Sequence, residues 1–541
     1  MVKLSRREFL IASGCAVAGL ARADIQTESP KDSPKSRVGL VRSSHEKLVR
    51  PASIDDPLDY PRVRDMVWKA IEYGRPRAGS LEAKIRPGSW VVIKPNIAFL
   101  GPQDSYRTGD VTDFRVVKAI IEYVAGKSRA GRITIAEGGS YQAAHAKGMW
   151  EISQNGARVD ARTYDWGDAE FPGWGGTLEG MLRGFGAQFP GRRFDYVDLN
   201  LDAVRDSSGA YLFSEVRPSP RGIGAFGARS AYCITRTIRD CDVLINAPVM
   251  KVHSDVGLTA CLKNYVGTAP REVYAPSWRY SNRILHDQYT VGGRIDGWVV
   301  DLGSFHPAEF SVVDGIRGLQ YTNHNNNKPD QMLRNNLILA GEDAVAVDSV
   351  VAAITGFNPW DLEYLHMAAR RDIGTMDSGK IEVVGDDPGS ATRSWAKPGQ
   401  WHGRCNREWS VTGNPSAPMV TWNRLTIPTD TLHLGDVAVQ TNRETGYASA
   451  MRVRAAGSRK AFLWVGVHGR VSVTMNGNKI MEEESAAACH VGQFKVPVEL
   501  NAGENLFEFR VRGILNAPEI SALIVGPRND GDTLDDIRYL A

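Results

Sequence analysis

The chain has six cysteines in 541 residues and no Cys-x-x-Cys pair, so it lacks the thiolate spacing of a zinc ribbon or a local iron–sulfur segment. No Gly-x-Gly-x-x-Gly follows a predicted strand and no Walker motif occurs, so no nucleotide cofactor is expected. No apolar run is long enough to remain in a bilayer, so no stable membrane span is expected. An excess of one charge is also missing. The formal net charge is +3, and the first 23 residues hold four basic groups and one acid. The remainder carries 61 basic and 61 acidic residues, a balance that favours neither nucleic acid nor an anionic membrane.

What is present is a large folding chain. Apolar residues make up 42% and charged residues 23%, the profile of a protein with ample core and room for two or three domains. Residues 1–23 read as a targeting segment. Arg6-Arg7 precedes a mildly apolar run from Leu10 to Leu20, and Ala21-Arg22-Ala23 gives a small-x-small cleavage pattern. This predicts export of a folded protein by the twin-arginine machinery, to the periplasm or beyond, with Asp24 as the mature start. Residues 24–37 form a polar lead-in. Most of the five later cysteines, Cys233, Cys241, Cys261, Cys405 and Cys489, are expected as small buried side chains.

From residue 38 to 386 short apolar runs alternate with helical spacing. Strands are predicted at 38–41, 90–93, 132–136, 196–199, 243–246, 310–313, 337–340 and 381–384. Helices are predicted at 60–73, 113–124 with Thr112 as N-cap, 258–266, 345–354 and 360–371. The pattern argues an α/β fold, a mostly parallel sheet with helices on both faces. Residues 171–191 read as a glycine-rich surface insertion and 387–425 as a linker or docking segment. Residues 426–527 carry short alternating strands and a strong Asn476-Gly477 hairpin signal, the pattern of a β-sandwich. Residues 528–541 form a tail.

Chemistry concentrates in Asn246 to Gly267, where Lys251, His253, Asp255, Lys263 and Asn264 follow an apolar strand that stops at Pro248. Ligands of open parallel sheets bind at the carboxyl ends of strands. Polar residues follow five predicted strands: Lys94 and Asn96; Glu137; Lys251 and His253; Asp314 and Arg317; Glu342, Asp343 and Asp348. Lys94, Glu137, Lys251, His253 and Asp314 are the candidates for anion binding and proton transfer, and His253 with Asp314 for a divalent metal. Asn96, Lys263, Asn264, His286 and His324 are the candidates for substrate contact. Bland roles compete: Glu137, Asp314 and Asp343 as helix caps, Lys263 at a helix C-terminus, Asp348 in a buried pair with a lysine, His324 in a solvated loop.

The segments Ile93-Lys-Pro-Asn96, Thr112-Asp-Phe-Arg-Val-Val117, Asp242 to His253, Gly257 to Gly267, Val313-Asp-Gly-Ile316 and Ala340 to Asp348 run in order. Together they resemble the domain of unknown function 362 family over about residues 38–386. The resemblance implies a fold and little chemistry. Many members carry a ferredoxin-like cysteine cluster, which this chain lacks. Phe462 to Met475, Asn476-Gly-Asn478 and Val496 to Val511 resemble galactose-binding-like jelly rolls, modules often attached to exported carbohydrate-active enzymes.

These readings converge on an exported enzyme acting on an anionic small molecule or carbohydrate. A non-catalytic glycan or cell-surface binding protein is the alternative. A redox protein is disfavoured by the missing cysteine and dinucleotide motifs.

Overall fold

The computed structural model describes residues 35–541 apart from 98–108, 139–148, 152–157, 161, 168–174, 221, 228, 254–255, 275–294, 322–329, 358, 360–361, 394, 397–406, 428–431, 442–445, 487–488, 490–492, 515–516, 528, 530–536 and 541. Residues 1–34, which include the expected targeting segment and most of the lead-in, and Cys405, His286 and His324 lie outside the described residues.

The first unit is built on β1 (Ser36–Arg42), β2 (Trp90–Pro95), β3 (Arg132–Glu137), β4 (Arg193–Asp198), β5 (Val243–Ala247), β6 (Val249–His253), β7 (Gly257–Thr259), β8 (Phe310–Leu319), β9 (Met332–Gly341) and β10 (Ile381–Gly385). Their order across the sheet is β10-β1-β9-β8-β5-β2-β3-β4, with the β6–β7 hairpin attached to β8. Along that path all neighbours are parallel except where β9 runs against both β1 and β8. The mostly parallel α/β sheet predicted from the sequence is therefore present.

Side-chain alternation explains why both faces are covered. Val92 and Leu244 point into one apolar cluster, whereas Val91, Ile93, Val243 and Ile245 point into the other. Helices α1 (Tyr60–Tyr73), α2 (Phe114–Lys127) and α3 (Leu178–Gln188) cover the second face. Helices α4 (Asp296–Phe305), α5 (Ala344–Ile354) and α6 (Glu363–Arg370) cover the first. Helix α1 shows the local logic. Asp59 caps it by accepting from the Arg62 N–H, and Val63, Met66, Val67, Ala70 and Ile71 form its buried stripe. It ends at Gly74, where a Cβ would lie 2.1 Å from the Ala340 carbonyl oxygen of β9.

Several expectations need correction. Residues 258–266 do not form a helix. Gly257 to Thr259 pair with β6, Asp348 takes the N–H groups of Cys261 and Leu262, and a 3-10 turn over Lys263–Thr268 follows. Lys263 and Asn264 therefore open a turn rather than close a helix. Asp348 bonds backbone and pairs with no lysine in these contacts, and burial raises its pKa to about 6. The chain does not leave the sheet at Pro248: it resumes as β6 beside β8. The insertion at 171–191 contains α3.

The second unit is a curled antiparallel sandwich of β11 (Arg407–Thr412), β12 (Asn423–Ile427), β13 (Leu432–His433), β14 (Tyr447–Ala455), β15 (Arg459–Met475), β16 (Asn478–Ser485), β17 (Phe494–Leu500), β18 (Gly503–Arg512), β19 (Glu519–Val525) and β20 (Ile537–Leu540). Residues 461–467 and 471–475 lie on one long strand, β15. The first half of β15 pairs with β17 and β19 and the second with β16 and β18. It turns at Gly469, whose φ is +135° and where a Cβ would lie 2.3 Å from the Arg512 carbonyl oxygen. The stretch read as a linker supplies β11, which joins β14, and most of β12, which pairs with β11, and the tail supplies β20 on β14. Among the described residues no helix is long and apolar enough to cross a membrane.

Candidate functional site at the strand ends

Strand β2 runs straight from its apolar core into Lys94, so the lysine is only 2% exposed. Its ammonium group meets Glu137 at the end of β3, at 2.9 and 3.0 Å to the two carboxylate oxygens. It also donates to the Pro95 carbonyl and to Asn264 Oδ1, both at 3.1 Å. Three ammonium hydrogens thus face four acceptors. Glu137 is equally occupied, accepting the N–H groups of Ile97 (2.9 Å) and Gly138 (2.7 Å). Burial pushes the Lys94 pKa below its ordinary value, and the Glu137 charge opposes that shift.

Asn264 carries the network onward. Its Nδ2 donates to Asn246 Oδ1 at 2.7 Å and to the Lys94 carbonyl at 3.1 Å, and Asn246 Nδ2 donates to the Cys261 carbonyl at 2.7 Å. Asn96 Nδ2 donates to Asn264 Oδ1 at 3.1 Å. Gly267 closes over this group: a Cβ there would lie 2.2 Å from Glu137 Oε1 and 2.7 Å from Lys94 Nζ.

A second ion pair sits on β6. Lys251 Nζ donates to the carbonyl of Asp110 at 2.6 Å and to its carboxylate at 3.0 Å, contacts that account for two of its three hydrogens. Lys251 and His253 are two apart on β6 and so share a face. Opposite them on β7 stand Thr259 and Gly257. The hairpin therefore sets an ammonium, a hydroxyl and an imidazole on one surface, with no side chain across from His253. All three are buried.

Residues 110–113 join the two pairs. The Thr112 hydroxyl accepts the Asn96 N–H at 2.9 Å and donates to the Ala247 carbonyl at 2.7 Å. Asp113, not Thr112, caps α2, and Arg115 grips its carboxylate. Asp314 accepts the Asp113 N–H at 2.7 Å and the Ile316 N–H at 2.9 Å, so both its oxygens hold backbone. Burial, reinforced by Asp113, raises the Asp314 pKa to about 7. For Asp113 burial acts upward too, but the Arg115 guanidinium outweighs it and holds the pKa low.

The structure thus gathers Lys94, Asn96, Glu137, Lys251, His253, Asn264 and Asp314 at one edge of the sheet. Lys263, half-buried, opens the adjoining turn. Glu342 and Asp343 do not join them. Because β9 is reversed, Gly341 pairs with Ser311 at the start of β8, which puts both residues at the opposite edge. Asp343 there caps α5, accepting the Val345 and Ala346 N–H groups. Among the described residues no group of three or more His, Cys, Asp or Glu side chains is arranged to hold a metal, so a His253–Asp314 pair gains no third ligand there. Sequence reading missed Asp110 and Asn246. Asp110 follows a glycine within a polar stretch and carried no periodic signal; Asn246 ends a predicted strand and was noted only as a boundary.

The family described as Domain of unknown function (DUF362) matches residues 214–353, which is 140 of the 541 residues. The expected resemblance is met over that segment, which includes Lys251, His253, Asn264 and Asp314. No curated protein matches the chain. Solved structures overlap it in part. A β-glucosidase from Kluyveromyces marxianus in complex with glucose is 11% identical, with 27% of this chain and 20% of that chain covered and a TM-score of 0.19. A family 35 carbohydrate binding module from an environmental isolate is 16% identical, covering 19% of this chain and 77% of that chain at a TM-score of 0.15. The lactate racemase apoprotein from Thermoanaerobacterium thermosaccharolyticum is 14% identical, with 52% of each chain covered and a TM-score of 0.25. The chain thus spans a fifth of the β-glucosidase and about half of the racemase.

Proposed function

We propose that the chain is an exported enzyme whose α/β domain acts on an anionic small molecule or carbohydrate at the strand-end network. The observation that carries this reading is the face of the β6–β7 hairpin, where Lys251, Thr259 and His253 stand together beside a second buried ion pair. Burying two ammonium groups costs several kcal/mol each before pairing. Apolar side chains would fill the same space with less penalty, so the charges point to a task other than stability. Lys251, with a hydrogen to spare, contacts the anion. His253 moves a proton. Lys94 and Glu137, already saturated by protein groups, hold Asn264 and Asn96 in place rather than meeting the ligand themselves.

The test is a survey of sugar acids and hydroxy acids with the mature protein, following turnover by NMR. The expected result is a product lost in His253→Gln, with binding lost in the double variant Lys251→Met/Asp110→Asn, which removes a pair without stranding a charge. Binding that needs Lys251 but never yields product would make the protein a binding module. Binding and turnover that ignore both changes would remove the site.

A further inference from the structure

The strand-end amides have a fixed direction, and it ends in an unused acceptor. Lysine can only donate, so Lys94 forces Asn264 to turn its oxygen inward. Asn264 must then present Nδ2 to Asn246, and Asn96 must present Nδ2 to Asn264 Oδ1. Turning the Asn96 amide over would set two oxygens against each other, so its orientation follows from the network. Asn96 Oδ1 is left buried without a hydrogen-bond partner in a side chain only 8% exposed. Other buried polar atoms in the described residues also lack a partner, but Asn96 Oδ1 is the one that ends this chain of satisfied amides at the proposed site, where a partner can arrive from outside. Across the site Thr259 Oγ1, 2% exposed and facing Lys251 on the neighbouring strand, is also without a partner.

We infer that Asn96 Oδ1 receives a hydroxyl of the ligand, so that the site takes hydroxylated acids, such as sugar acids or hydroxy acids, in preference to acids of the same charge that lack the hydroxyl. This rests on the proposed strand-end site and narrows its substrate class. The carboxylate goes to Lys251, and the hydroxyl donates to Asn96. A simple carboxylate offers Asn96 no donor and leaves the acceptor stranded in the closed site. Specificity of this kind comes from the penalty of an unpaired buried group as much as from the bond itself.

The experiment compares matched probes by calorimetry and saturation-transfer NMR on the full chain: glycolate against acetate, and D-glucuronate against cyclohexanecarboxylate. The wild type should favour the hydroxylated member of a pair by roughly tenfold, the worth of one hydrogen bond between neutral groups. Asn96→Ala should bring the preference to within about twofold. Equal binding within each pair by the wild type, as expected if Asn96 holds only water, would overturn the inference, and so would a preference that survives in Asn96→Ala. If Lys251→Met/Asp110→Asn weakens both members equally while Asn96→Ala shifts no preference, the Asn96 assignment alone fails. If no probe binds, or binding ignores the Lys251 variant, the strand-end site fails with it.

Discussion

The two units bury different things. The α/β unit encloses Lys94, Asp110, Asp113, Arg115, Glu137, Lys251, Arg271, Asp296, Asp301, Asp314 and Asp348, each at 2% exposure or less. Among the described residues of the sandwich Arg407 is the only charged side chain so enclosed, and the rest of its core is apolar apart from Asn505 and a few hydroxyls. Its ion pairs, such as Arg454–Glu504 and Arg470–Glu484, lie in solvent. A fold that needed only stability would look like the sandwich throughout. Lys94, Asp110, Asp113, Glu137, Lys251 and Asp314 cluster at one sheet edge, apart from the Asp301–Arg371 pair under the helices, and this cluster locates the proposed chemistry.

The sharpest way to break the comparison is to strand a charge. Glu137→Ala leaves the Lys94 ammonium without its carboxylate and should cost about 3–5 kcal/mol in denaturant unfolding. The paired change Lys94→Met/Glu137→Leu should recover most of that loss. If Glu137→Ala costs no more than a surface substitution, the network is not the buried unit described here.

Next comes pH. Asp314 has a folded-state pKa raised from 3.8 to about 7 by burial and Asp113. The folded protein holds a proton that the unfolded chain releases, so this group favours folding fully below its unfolded pKa. That contribution is lost as pH rises through about 7. The melting temperature of the wild type should therefore fall relative to Asp314→Asn between about pH 4 and pH 7.5. A difference constant across that range would contradict the shift.

In the sandwich the effects should be those of packing alone. Val465→Ala removes fully buried methyls and should cost about 2 kcal/mol, with no dependence on pH in the same window. Gly477→Ala places an L side chain at φ +83° in the open Asn476-Gly477 turn and should cost about 1 kcal/mol. Glu504→Ala, at an exposed pair, should stay within about 0.5 kcal/mol. A larger loss there would mean that surface pairing contributes more to the sandwich than its exposure suggests.

Much of this was legible in the residues. Continuous apolar runs placed the buried strands, because a strand covered on both faces has no polar side to alternate with. Tyr60–Tyr73 was readable end to end, since Pro61 and the buried stripe agree. Lys94, Glu137, Lys251 and Asp314 stood out as charges abutting such runs. Strand direction was not legible. Nothing in Leu337 to Ala340 tells that β9 is reversed, and that reversal moves Glu342 and Asp343 to the far edge. Nor could spacing foresee that Asp348 would take the N–H groups of Cys261 and Leu262, which ends helical continuity there. The strands β11 and β12 were hidden by the Pro, Gly and Trp residues around them. Pairing partners are a tertiary property, and so are the roles of Asp110 and Thr112, which depend on strands far away in sequence.

The central claim is that Lys251 meets an anionic ligand at the strand ends. Its most direct test is calorimetric titration of the wild-type protein and of Lys251→Met/Asp110→Asn with the same sugar acids and hydroxy acids. At least one of them should bind the wild type saturably, with a loss of roughly tenfold or more in the variant, as expected for removing a charge-assisted hydrogen bond. Unchanged affinity in a folded variant, or no binding of any acid to the wild type, would contradict it.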